Sequence, residues 1–435
     1  MSKYPRDYTY NSRKPLNADL ESMPKKHQDL LTTDAHFCML PWIHLHAYPD
    51  GRAYPCCLSE YEMPIGDLKK QTMKQVWNSE GMREIRTNML NHKPSKECSR
   101  CYEQEKSGFV SMRHSMSQNF GHHIALVDNT LEDGTVEDFK LRYYDIRFSN
   151  VCNFRCRSCG STFSSNWYND EVKLWGPRNQ PRIMYAGRTE EDMWEQMQEH
   201  IPHLERIYFA GGEPLIMEEH YRLLNELVKR KMFHVSLVYN TNFSKLAYKD
   251  QNVLEIWKLF DSVSVGASLD ASYERGEYMR KGTVWADIVE NRKRMQEICP
   301  QVDFYISPTV SIFNVLHIVD FHREWVELGL INPQDININI LQKPDWYRID
   351  ILPQEIKDQV RKKVLAHIEW LKPYDKLARA TSGFNGMLSF MDAMQQQHLL
   401  PEFFSQTRKL DVLRQETLFN TFPELEESFR HAATP

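Results

Sequence analysis

The stretch YYDIRFSNVCNFRCRSC (143–159) decides the fold. Its first half, YYDIRFSN (143–150), has the aromatic and apolar content of a strand and runs straight into three closely spaced cysteines. Further strand candidates follow at RIYFA (206–210), HVSLVYNTN (234–242), DSVSVGASLD (261–270), QVDFYISPTV (301–310) and DININI (335–340). Helical spacing fills the gaps. Val253, Ile256, Trp257 and Phe260 recur at i, i+3, i+4 and i+7, and Ile318, Phe321 and Trp325 share a face that Gly329 closes. Six strands alternating with helices predict βα units and a parallel sheet. Right-handed crossovers would curl that sheet into a partial (β/α)6 barrel of the TIM-like α/β class.

Alternation within the strands predicts what the inside of such a barrel holds. In 261–270, Val263, Val265, Ala267 and Leu269 form an apolar face for the helices, while Ser262, Ser264, Gly266, Ser268 and Asp270 form a small polar face for the interior. In 335–340, Asn337 and Asn339 alternate with Ile336, Ile338 and Ile340. Asparagines in a closed apolar core would be costly unless paired. A polar, ligand-holding lumen accounts for both strands.

The cysteines Cys152, Cys156 and Cys159 read C-x3-C-x2-C. Three thiolates on one short loop can hold three irons of a four-iron cubane, leaving the fourth iron for a chelating molecule. A structural zinc site wants four ligands, often as paired C-x2-C knuckles. A bacterial ferredoxin run reads C-x2-C-x2-C-x3-C-P. The triplet matches neither. After the second strand comes AGGEP (210–214), whose glycines let backbone approach a ligand closely and whose Glu213 supplies negative charge.

The cysteine triplet after a first strand, with AGGEP after the second, resembles the radical S-adenosylmethionine (SAM) superfamily. The resemblance implies a [4Fe-4S] cluster on Cys152, Cys156 and Cys159. It implies that Gly211, Gly212, Glu213 and Pro214 receive the amino group of SAM. Asn242 ends the third strand as in relatives. By resemblance, Ser268, Asp270 and Arg280 (in YMRKG) would contact the SAM ribose or carboxylate. Phe154 matches the usual apolar residue between the first two cysteines, whereas Ser158 stands where many members have an aromatic or large apolar residue. The family chemistry would be reductive cleavage of SAM to methionine and a 5′-deoxyadenosyl radical, which takes hydrogen from a substrate. A reductant such as flavodoxin or ferredoxin would supply the electron, as for an oxidoreductase. Relatives act on peptides or proteins, or on small metabolites.

Upstream lies a second cysteine group: Cys38, Gly51, the pair Cys56-Cys57, then IGDL (65–68), VWNSEGMREIR (76–86) and Cys98-x2-Cys101. This resembles the auxiliary iron–sulfur domain called SPASM, or its shorter twitch form, placed ahead of the barrel rather than after it. Ser107 falls near the position of the next cysteine of the full form, so the single-cluster form fits better. The implied ligands are Cys38, Cys56, Cys98 and Cys101, with Cys57 the substitute for Cys56. A four-cysteine zinc site is the competing reading. Cys299 has no nearby partner and reads as a buried thiol.

Working outward, four regions separate: a flexible polar arm (1–35), the cysteine-rich domain (36–115), the barrel (140–345) and a helical extension (346–435). The segment 160–205, rich in Trp, Tyr and Asn, is expected to cover the barrel mouth and to bear on substrate choice. The chain has 435 residues, of which 41% are hydrophobic and 26% charged, a globular composition. No run of eighteen apolar residues is present, which excludes a membrane-spanning helix, and the polar start lacks a signal-peptide core. A cytoplasmic protein is expected. The net charge of −5 gives a nucleic-acid partner no support. The alternatives left open are an RNA-modifying radical SAM enzyme and a zinc-binding structural or interaction protein.

Overall fold

The computed structural model describes residues 16–106 and 110–432. Eight strands organise the chain: β1 (His44–Ala47), β2 (Arg52–Tyr54), β3 (Gly66–Asp67), β4 (Tyr143–Ile146), β5 (Arg206–Phe209), β6 (Ser236–Thr241), β7 (Val263–Ala267) and β8 (Asp303–Ile306). They form one sheet in the order β8-β7-β6-β5-β4-β1-β2-β3. The six strands from β8 to β1 are all parallel, and β2 and β3 close the edge as antiparallel ribbons.

Five of the six expected strands form as read, and one does not. Segment 335–340 makes a single bridge, Ile306 to Ile336, and Asn339–Ile340 pairs with Thr309–Val310 in a separate two-stranded piece. Pro308 lies between β8 and Thr309 and has no N–H to give a ladder. Asn339 is exposed and donates to Ser307 Oγ, so these asparagines do not sit in a closed lumen. The sixth parallel strand is instead β1, which comes from the cysteine-rich N-terminal region and pairs in register with β4.

Register and alternation define the two faces. On one face stand His44 and His46, Tyr143 and Asp145, Arg206 and Tyr208, Asn240, Ser264 and Gly266, and Asp303 and Tyr305. This face carries the sheet's polar and charged side chains. The polar face expected for β7 lies here: Ser264 donates to Asp303, and a side chain at Gly266 would strike the Tyr305 ring at 2.9 Å. The other face is apolar and carries the helices. Tyr239 packs edge-on against Trp257 of the helix Val253–Trp257, and Phe304 stacks on Trp325 of the helix Ile318–Glu327. Burying a side chain such as Phe304 contributes about 1.5–3 kcal/mol. Gly329, at φ +69°, ends the Trp325 helix as its position suggests.

The 1–35 arm needs correction where it is described. Residues 1–15 and Ser107 lie outside the described residues. Lys25–Thr32 is a helix with His27 and Leu30 buried, and His27 pairs with Asp128 at 2.9 Å. The C-terminal region holds the helices Gln354–Leu371, Arg379–Ala393, Leu400–Arg414, Leu418–Thr421 and Pro423–Ala432. Among the described residues, no helix is long and apolar enough to cross a membrane.

Candidate active site

The three-cysteine loop follows β4 and is pinned from two sides. Arg155–Cys156 pairs antiparallel with Arg280–Lys281, in the register Cys156 to Arg280. On the other side, Trp167 Nε1 donates to the Cys156 carbonyl at 2.6 Å. Trp167 opens the helix Trp167–Trp175, so the 160–205 segment packs directly on this loop. Gly282, at φ +116°, lets the chain pass Phe154, where a Cβ would meet the ring at 2.8 Å. Burial pushes the Cys152 and Cys156 thiols up, and the Cys159 thiol up to about 12. Such thiols stay protonated near neutral pH unless a metal takes the proton's place.

The AGGEP turn sits beside this loop. Gly211 and Gly212 both have positive φ, +79° and +52°, which favours glycine. A Cβ on Gly211 would strike Arg147 at 2.7 Å, and one on Gly212 would strike the Val151 carbonyl at 2.3 Å. Glu213 is buried and accepts from Thr241 Oγ1 at 2.6 Å, the Asn242 N–H at 2.7 Å and the Leu215 N–H at 3.0 Å. Burial still raises it to about 7. Pro214 starts the short helical turn Pro214–Ile216. Asn242 ties β6 back to the cluster loop by donating to Asn153 Oδ1 at 2.9 Å.

Asp270 and Arg280 pair with each other beside the cysteine loop. Arg280 places Nε and Nη2 each 2.8 Å from Asp270, and Nη1 3.7 Å from the Cys156 sulfur. Asp270 also accepts from the Thr309 N–H at 2.8 Å. The Ser268 N–H donates to the Thr241 carbonyl at 2.7 Å, which holds the end of β7 against β6. Cys152, Cys156, Cys159, Glu213, Asn242, Ser268, Asp270 and Arg280 therefore gather at the C-terminal ends of neighbouring parallel strands, where parallel α/β sheets bind ligands.

Below them lies a network that motif reading missed. His46 and Arg147 both contact Asp145, each at 3.0 Å, Arg147 lies over the Tyr208 ring, and Asn240 donates to Tyr208 at 2.6 Å. The available signal was the alternation Tyr143, Asp145, Arg147 within the deciding strand itself.

The upstream cysteines form a separate site. Cys38, Cys56, Cys98 and Cys101 line one cavity with Arg100 and Arg113. Burial raises all four thiols, Cys38 and Cys56 to about 12. Cys57 is half-buried and does not line this cavity. Among the described residues, one His/Cys/Asp/Glu group has its ligand atoms all within 4.8 Å of one another: His122, His123 and Glu205. The all-thiol donor set at each place suits iron–sulfur ligation. Cys299 is a buried thiol remote from either, raised to about 12 by burial.

Comparison with known proteins gives two domain matches. Residues 146–321 match the model of the radical SAM superfamily, and residues 38–102 match the iron–sulfur cluster-binding domain SPASM. No curated protein matches the chain. Among solved structures, the chain is similar to native anSMEcpe with bound AdoMet, at 17% identity over 54% of this chain and 60% of that one (TM-score 0.36). It is also similar to Streptococcus suis SuiB bound to S-adenosylmethionine, at 12% identity over 68% of this chain and 64% of that one (TM-score 0.38). The aligned region thus spans less than two thirds of either protein.

Proposed function

We propose that this chain is a radical SAM enzyme with an iron–sulfur SPASM domain ahead of its radical SAM domain, and that its residues divide the work between them. Cys152, Cys156 and Cys159 would hold the [4Fe-4S] cluster at the mouth of a partial (β/α)6 barrel. The cluster, when bound, supplies the single electron for reductive cleavage of SAM and hence the hydrogen-abstracting 5′-deoxyadenosyl radical. The gathering of these thiols with Glu213, Asn242, Asp270 and Arg280 on one sheet edge carries this reading.

Each residue then has a defined task. Glu213 offers a buried carboxylate to the SAM ammonium, and Gly211 and Gly212 keep the approach open. Asp270 fixes the Arg280 guanidinium beside Cys156, where it can meet the SAM carboxylate or ribose. Asn242 and Ser268 hold the strand ends in place, and Pro214 shapes the turn. Cys38, Cys56, Cys98 and Cys101 would hold one auxiliary cluster. The substrate would lie on the polar face near Arg147, Tyr208, Asn240 and Tyr305, whose polarity suits a hydrophilic small molecule or a polar residue of a peptide. The covering domains would keep water from that face.

Metal and sulfide content tests the assignment. After anaerobic reconstitution, the protein should bind about four irons per cluster, with labile sulfide, at two sites. The variant Cys152→Ala/Cys156→Ala/Cys159→Ala should lose one site only. Zinc without labile sulfide would overturn the assignment.

A further inference from the structure

Buried charges connect the C-terminal helices to the three-cysteine loop. The helix Leu400–Arg414 ends with a side chain that is fully buried. Arg414 Nε donates to Asp170 Oδ2 at 3.0 Å, and Asp170 Oδ1 accepts from Arg155, the neighbour of Cys156, at 2.7 Å. The Arg414 guanidinium lies 4.7 Å from the centre of the Trp167 ring, the same indole that donates to the Cys156 carbonyl. Its two terminal nitrogens, Nη1 and Nη2, are buried and make no hydrogen bond.

The following residues complete a clamp. Arg157 Nη2 reaches both Asp411 and Glu416, Tyr278 donates to Asp411 at 2.8 Å, and Lys281 Nζ reaches Glu416 at 2.8 Å. Segment 411–416 thereby grips both short strands around Cys156, Arg155–Cys156 and Arg280–Lys281. A buried cation with unused donors is costly unless an electron-rich acceptor faces it. The Trp167 indole and the shared Asp170 set the Arg414 guanidinium directly behind the Cys156 backbone. Hydrogen bonds and charge near the sulfurs set the potential of an iron–sulfur cluster.

We propose that Arg414 is a positioning residue for the three-cysteine cluster, a buried positive charge that the C-terminal helices supply to favour the reduced state. This rests on the ligand assignment above. The redox step is one electron passed from a flavodoxin- or ferredoxin-class donor to the cluster. No bond is made or broken, and Arg414 keeps its protons.

Redox titration of the reconstituted full-length protein without SAM, followed by electron paramagnetic resonance, tests the proposal. Arg414→Met should keep its iron but lower the reduced-to-oxidised ratio at a fixed poise about tenfold, a shift of about 59 mV for one electron. Arg414→Lys should lie between it and the wild type. Asp170→Asn leaves Arg414 in place and removes a compensating anion, so its potential should move the opposite way. It decides the matter if Arg414→Met fails to fold. An unchanged potential in iron-replete Arg414→Met, or an unchanged or lowered one in Asp170→Asn, overturns the proposal. A wild type without labile sulfide would instead overturn the ligand assignment.

Discussion

His46 and Asp145 are register partners on adjacent parallel strands, and His46 Nδ1 lies 3.0 Å from Asp145 Oδ2 and 2.9 Å from its carbonyl oxygen. One residue comes from the cysteine-rich region and the other from the deciding strand, and both are fully buried. Burial pushes the Asp145 carboxyl up, but Arg147 and His46 pull harder and hold it well below the usual carboxylate range. Removing one partner from a buried ion pair leaves an uncompensated charge and costs about 3–5 kcal/mol. Asp145→Ala should therefore lose stability on that scale in urea unfolding, together with both clusters. A loss below about 1 kcal/mol, the value of an exposed pair, would show that the network does not tie the two regions together.

Glu213 gives the site a pH dependence. Its folded value is raised by burial to about 7, above the ordinary carboxylate value. The sign follows from linkage. Its contribution to stability is full below the unfolded value and is lost as pH rises through 7. Binding of the SAM ammonium favours the carboxylate and so has the opposite sign. SAM affinity should fall as pH drops below 7, approaching tenfold per unit. Calorimetric titration from pH 6 to 8 should show that slope in the wild type and a flatter, weaker profile in Glu213→Gln. A pH-independent Kd in the wild type would count against this role.

The Asp270–Arg280 pair should be unforgiving. Asp270→Ala strands a buried guanidinium beside Cys156, and thermal unfolding should register a loss of about 3–5 kcal/mol. Arg280→Lys keeps the charge but not the two-nitrogen geometry, so it should retain the fold and weaken SAM binding. Equal SAM affinity in Arg280→Lys and wild type would remove Arg280 from the SAM site.

Cys56 and Cys57 should behave differently despite adjacency. Cys56 lines the cavity with Cys38, Cys98 and Cys101, whereas Cys57 does not. Cys56→Ser should lose the auxiliary iron, and Cys57→Ser should keep it. Iron counts in the reverse order would exchange their assignments.

Much of this was readable in the sequence, because the cluster and SAM motifs are short, local and set by strand ends. Residues 152–159, 210–214, 241–242, 268–270 and 280 each carry their spacing within one turn. Three features were not local. The strand His44–Ala47 joins the sheet beside β4 from about a hundred residues upstream, and nothing in HLHA names its partner. The 335–340 segment alternates like a strand, yet Pro308 breaks the edge it would extend. Arg414 is buried against Asp170 and Trp167 at a helix end, where an arginine ordinarily faces solvent.

Cys152, Cys156 and Cys159 would serve SAM chemistry. Reduced, reconstituted protein mixed with SAM under anaerobic conditions should form 5′-deoxyadenosine, while Cys156→Ala should form none above background. Equal product from the two proteins would mean that these cysteines do not serve SAM cleavage.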